Sequence, residues 1–134
     1  MTAPPAGFEP HDRSSPLTAP WEPIYARMDG DALTLGLRLA EAHTNRRGFA
    51  HGGLLAAMAD NAMGLNCARR FSPPAGLVTV NLAVDYYGTV SVGQWLSFET
   101  RHVHTGRTLC FADLFVVAEG QPCARANATF RVVG

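Results

Sequence analysis

A neutral chain of 134 residues, 47% hydrophobic and only 16% charged, is long enough for one domain with a substantial core. The charge balance gives no sign of a polyanion-binding surface, so no nucleic-acid partner is expected, and so little charge on a small body points to surface hidden in a homo-oligomer. All 11 basic residues are arginine, which excludes Schiff-base and lysine-nucleophile chemistry.

In chain order, residues 1–20 hold Pro4, Pro5, Pro10, Pro16 and Pro20 and little apolar periodicity. They read as a flexible proline-rich arm, laid over the body or over a neighbouring subunit. They hold no apolar signal core, and no run approaches the roughly 20 apolar residues of a membrane span. Residues 21–134 are expected to form a single domain. Segments 23–28 and 33–39 flank Asp29-Gly30-Asp31 and read as a hairpin. A polar loop, 41–47, leads through 48–53 into a helix predicted over about 52–70, which Pro73-Pro74 stops.

The remainder reads as strands. Over 77–87, Val78, Val80, Leu82, Val84 and Tyr86 form one face and Thr79, Asn81, Ala83 and Asp85 the other. Residues 95–104 alternate more weakly, Thr105-Gly106 is a turn, and 108–118 is apolar enough for a central strand. Past Gly120, Ala124, Ala126, Ala128, Phe130 and Val132 alternate with Arg125, Asn127, Thr129 and Arg131. The order β-β-α-β-β-β-β is α+β, with the helix on one sheet face. Cys67, Cys110 and Cys123 are odd in number, far apart and without a C-x-x-C pair, as in a reducing, cytoplasmic compartment.

The helix carries the chemistry. Leu54, Leu55, Met58, Ala62 and Leu65 form a stripe suited to packing on the sheet. Asp60 lies opposite, yet its neighbours there, Gly53, Ala56, Ala57, Met63, Gly64 and Cys67, are uncharged, whereas a solvated face normally carries Glu, Lys or Arg. Both faces are therefore expected to be covered, one by the sheet and one by another subunit or a substrate. A carboxylate in such a place is costly unless partnered, which makes Asp60 a candidate catalytic group or, alternatively, a buried interface residue. His51-Gly52-Gly53 opens the helix, where free backbone N–H groups and partial positive charge suit an oxyanion. A histidine there serves equally as a helix cap. The five histidines include no H-E-x-x-H, and there is no G-x-S-x-G. His102 and His104, alone on a strand face, are too few for a metal site, so no metal is expected.

Asn45-Arg46-Arg47-Gly48-Phe49-Ala50-His51-Gly52-Gly53, with Asp60 nine positions after the histidine, resembles the N-x-x-G-x-x-H-G-G pattern of the PaaI-like acyl-CoA thioesterases of the hotdog-fold superfamily. Gly76-Leu77-Val78-Thr79-Val80-Asn81 and Thr105-Gly106-Arg107-Thr108-Leu109 are similar to that family's next strand and hairpin. The likeness runs over about residues 24–133 and leaves out the arm.

This resemblance implies a hotdog fold, a curved antiparallel sheet wrapped around one long helix. Two subunits would share a continuous sheet, and two such dimers would form a tetramer. Active sites would lie at the dimer seam, with the helix start of one subunit facing the partner's Asp60. By the same likeness the Gly52 N–H would polarise the thioester carbonyl and Asp60 would act as general base or nucleophile. Asn45 would orient the carbonyl or the water, His51 would hold the loop and the thioester end, and Thr79 would hydrogen-bond the attacking water. Gly53, Arg107, Arg46 and Arg47 are candidates for contacts to the acyl-CoA substrate, with Arg69 and Arg70 also considered for its phosphates. Met58, Met63, Phe71 and Tyr87 are candidates for lining the acyl pocket. No separate cofactor is implied, because one base and one oxyanion donor suffice for an activated carbonyl with a good thiolate leaving group. The alternatives are a hotdog module that binds acyl-CoA without cleaving it, and a hotdog hydratase or dehydratase.

Overall fold

The computed structural model describes residues 3–133, so Met1 and Thr2 of the expected arm, and Gly134 of the domain, lie outside the described residues. Within the arm a short strand, β1 (Glu9–Pro10), pairs with β2 (Tyr25–Asp29). Strand β2 turns into β3 (Ala32–Arg38) at Gly30, whose φ of +65° suits a tight hairpin. Helix α1 (Gly52–Ala68) follows, then β4 (Gly76–Tyr86), β5 (Trp95–Thr105), β6 (Leu109–Ala118) and β7 (Gln121–Val133). The helix ends at Ala68, and the Arg69 and Arg70 N–H groups close its last turn on the Leu65 and Cys67 carbonyls.

Every strand pairing is antiparallel, in the order β1-β2-β3-β5-β6-β7-β4. One long helix packed on such an open seven-stranded sheet is the hotdog arrangement. The core is built from Leu35 and Leu37 of β3, Leu96 and Phe98 of β5, Leu114 and Val116 of β6, and Ala124, Ala126, Ala128 and Phe130 of β7, all buried, the last four as their alternation predicts. The alanines of β7 leave the room that α1 needs to lie close to the sheet.

Two expectations about faces are corrected. Met63 and Cys67, placed beside Asp60 on the open side of the helix, are fully buried, as is Met58. The sheet curves around α1, which packs against β3 to β7, and so covers a wider arc than a flat sheet would. Met58 and Met63 are therefore core residues and do not line a pocket. The open arc consists of Ala56, Ala57, Asp60, Asn61, Gly64, Leu65 and Ala68, all half-buried, so Leu65, expected in the sheet-packing stripe, lies at its border. The second correction concerns β4, whose register with β7 shifts between Thr79 and Asn81. Val80 is the extra residue of this bulge, so the inward set is Leu77 and Thr79 before it and Leu82, Val84 and Tyr86 after it. Thr79 thus faces the helix, where strict alternation had set it apart from Leu82 and Val84.

Asn66, buried near the end of α1, fastens the helix to the sheet. Its Oδ1 accepts the Leu33 N–H at 2.7 Å, and its Nδ2 donates to the Leu33 carbonyl at 2.9 Å and to Thr100 Oγ1 at 3.1 Å. These are β3 backbone groups beyond the point where pairing with β5 begins at Leu35. The arm packs through Phe8, whose ring meets Trp95 edge-on at 5.0 Å, while the Arg27 guanidinium lies 4.3 Å over the Phe8 ring. All three cysteines are buried, and burial pushes the Cys67 and Cys123 thiols above their usual range. Among the described residues no helix is long and apolar enough to cross a membrane.

Candidate active site

The loop before α1 is shaped by its own side chains. Asn45 Oδ1 accepts the N–H groups of Arg47 and Phe49 at 2.9 and 3.2 Å, and Gly48 supplies the φ of +84° that closes the turn. That oxygen is occupied, which leaves the Nδ2 donor of Asn45 as the atom able to meet a carbonyl. Arg46 and Arg47 stand exposed at the loop tip.

His51 is the N-cap of the helix, its Nδ1 accepting the Gly53 N–H at 2.8 Å. A Cβ on Gly53 would lie 3.0 Å from that ring, so glycine keeps the cap close. The Gly53 N–H is taken up internally. The Gly52 N–H, at the positive end of the helix, has no acceptor among the described residues, so of the two it is the one able to receive an oxyanion. The preceding chain is held from behind by His43, which is buried. Its Nδ1 accepts the Ala40 N–H at 2.8 Å, so Nε2 carries the proton and donates to the Trp21 carbonyl at 2.8 Å.

A residue missed in the sequence also fixes Gly52. The Tyr86 hydroxyl, from β4, donates to the Gly52 carbonyl at 2.6 Å, with the ring 3.4 Å from where a Gly52 Cβ would sit. Burial pushes the Tyr86 phenol above its ordinary value, which keeps it a donor. Its inward position after the bulge was legible as a face, but not the atom it meets.

About two helical turns further along α1, the Thr79 hydroxyl donates to Asp60 Oδ1 at 2.7 Å. Asp60 is half-buried, on the flank of the helix nearest β4, and heads a groove of about 220 Å³ between α1 and β4. A hydrogen bond from Thr79 turns the carboxylate towards this groove and leaves its other oxygen available to a proton. Phe71 is half-buried and Tyr87 exposed, and neither lines the groove.

The structure brings the expected residues together in two clusters, not one. Gly52 and Asp60 are separated by eight helical residues, about 12 Å along the axis, too far for one carbonyl to touch both. Arg107 is exposed at the β5–β6 turn, whereas the loop carrying Arg46 and Arg47 bridges to Ser91, before the other end of β5. Those ends lie about 30 Å apart along the strand. Arg69 leans on the Met28 sulfur and Arg70 lies 4.0 Å from Asp31, so neither reaches either cluster. Among the described residues no group of three or more His, Cys, Asp or Glu is arranged to hold a metal ion.

Comparison with known proteins gives these clusters a context. The family model for the thioesterase superfamily matches residues 47–124, more than half of the chain. A Pseudomonas aeruginosa protein provisionally named an esterase is 38% identical over 129 residues, 96% of each chain. Human acyl-coenzyme A thioesterase 13 is 32% identical over 97 residues, 69% of this chain and 67% of its own. Two solved structures share the fold. A hypothetical thioesterase of Streptococcus pneumoniae, crystallised with coenzyme A, has a TM-score of 0.76 at 25% identity, over 85% of this chain and 91% of its own. The Escherichia coli PaaI protein has a TM-score of 0.70 at 21% identity, over 83% of this chain and 80% of its own. The chain belongs to the thioesterase superfamily: it is a hotdog-fold thioester hydrolase.

Proposed function

We propose that this protein hydrolyses a small aryl- or short- to medium-chain acyl-CoA to the free acid and CoA, in the cytoplasm, as a homo-oligomer built from dimers, a dimer of dimers. The observation that carries the proposal is the Thr79–Asp60 pair at the head of an open groove, 2.7 Å between oxygens. A second copy supplies what one chain lacks. On β4, Thr79 (with Asp60) and Tyr86 (with Gly52) are seven residues apart, about 23 Å along the strand. A two-fold axis crossing β4 near Leu82 and Ala83 sets the Thr79 end of one strand beside the Tyr86 end of the other. The edge is suited to such pairing, because among the described residues β4 has no neighbour on its outer side, and Val78, Val80, Tyr86 and Tyr87 are exposed there.

In that dimer the thioester oxygen rests on the Gly52 N–H, and Asn45 Nδ2 steadies the carbonyl or the water. His51 holds the first turn through its cap. The partner's Asp60, aligned by a threonine donor, takes a proton from water as its oxygen attacks the carbonyl carbon; alternatively the carboxylate attacks directly and water opens the resulting anhydride. Collapse of the tetrahedral oxyanion breaks the C–S bond and CoA leaves as thiolate. The same two-fold operation carries the partner's Arg107 towards Arg46 and Arg47, and these arginines meet the CoA phosphates. Protein groups suffice for every step, without a metal or further cofactor.

Assay of a panel of aryl and aliphatic acyl-CoAs tests this, read as free CoA and free acid. Hydrolysis is expected, and Asp60→Asn should lower kcat at least about a hundredfold with the oligomer intact. Full activity in that variant would place the base elsewhere. Binding without CoA release would indicate a non-catalytic acyl-CoA module, and a change in unsaturation of the acyl group a hydratase or dehydratase.

A further inference from the structure

The Gly52 N–H belongs to the peptide between His51 and Gly52, and a line of hydrogen bonds runs back from that peptide to the end of the arm. The His51 N–H donates to the His43 carbonyl at 2.9 Å. His43 ends a single helical turn, Glu41–His43, and is only 3% exposed. Inside this turn its contacts are doubled: the Ala40 N–H donates to its Nδ1 at 2.8 Å, and its own N–H donates to the Ala40 carbonyl at 3.0 Å. Its Nε2–H has no such duplicate. It donates to the Trp21 carbonyl at 2.8 Å, 22 positions earlier in the chain. Among the described residues no other hydrogen bond ties residues 41–44 to chain outside 40–51. The acceptor is itself fixed, because the Trp21 N–H returns to the Thr18 carbonyl at 2.9 Å, and the Thr18 and Ser15 hydroxyls meet at 3.1 Å.

We propose that His43 is a positioning residue for hydrolysis: through Nε2 it holds the catalytic loop against Trp21 and so sets where the Gly52 N–H points. The inference rests on the thioesterase reading above and adds to it a residue that touches no substrate. A displaced amide loses most on the oxyanion, which forms only in the transition state, so the effect belongs to kcat and not to KM.

Two substitutions divide the imidazole. An asparagine oxygen stands in for Nδ1 and keeps the Ala40 contact; a glutamine nitrogen stands in for Nε2 and keeps the Trp21 contact. Acyl-CoA hydrolysis, circular dichroism and a thermal melt are measured for the wild type, His43→Asn and His43→Gln. Each variant loses one hydrogen bond, so both should melt a few degrees lower. His43→Asn should lower kcat at least about tenfold with KM within about twofold, while His43→Gln keeps kcat within about threefold of the wild type. Equal kcat in the two variants, whether both fall or neither does, would overturn the assignment and leave His43 a purely structural residue. So would a rise in KM at constant kcat, or a His43→Asn chain that fails to fold. In each of those cases wild-type turnover leaves the thioesterase reading in place. A wild type that cleaves no acyl-CoA removes that reading, and this role with it.

Discussion

Two hydroxyl groups organise the candidate site, and they act on different parts of it. Thr79 aligns a carboxylate; Tyr86 anchors a backbone. The second role is separable because Tyr86→Phe keeps the ring that lies against Gly52 and removes only the O–H. The expected result is a fall in kcat of about tenfold with KM little changed. The matching loss of stability is about 1 kcal/mol, the net worth of one hydrogen bond. Steady-state kinetics beside a thermal melt separates the two effects; a change confined to stability would make Tyr86 a structural residue only. His51 was legible in either of two roles, and the structure places its Nδ1 on the Gly53 N–H, as a cap. Asp60 was legible because an unexplained charge on a small, uncharged helical surface is conspicuous. Tyr86 was not, since alternation assigns a face to a side chain but not the atom its hydroxyl meets.

At the scale of elements, α1 is held to β3 by hydrogen bonds as well as by apolar contact. Asn66 meets both backbone groups of Leu33 and the Thr100 hydroxyl. Asn66→Ala leaves those buried groups unpaired and should cost about 3 kcal/mol. In a domain of this size that is a fall in Tm of about 10 °C by calorimetry. A shift under a few degrees would mean water replaces the amide. The succession of strands and helix along the chain followed from periodicity, because inward residues repeat every second position along β7 and turn signals separate the strands; the place of β4 beside β7 did not. Two features escaped that reasoning. The bulge at Val80 inserts one residue, which exchanges the faces of everything after it on β4. The curvature of the sheet buries Met63 and Cys67, which a wheel drawn against a flat surface leaves open. Within the arm, the pairing of Glu9 and Pro10 with β2 had no signal, as two residues cannot establish a period.

For the whole molecule, the outer edge of β4 decides whether the site is complete. Replacing Val78 and Val80 by Glu places like charges at a seam where the strand would meet its copy. The double variant should sediment near 14.4 kDa, keep its circular dichroism and lose hydrolysis at least about a hundredfold. An active monomer would mean that one chain suffices and that the two clusters serve different purposes. Sulfur burial has a practical corollary at the same scale. Cys67, Cys110 and Cys123 are 0, 0 and 6% exposed, so a disulfide-exchanging dye meets no reactive sulfur on the folded protein. In a coloured continuous assay the leaving group alone then supplies signal, and any slow drift without substrate marks molecules that have come apart.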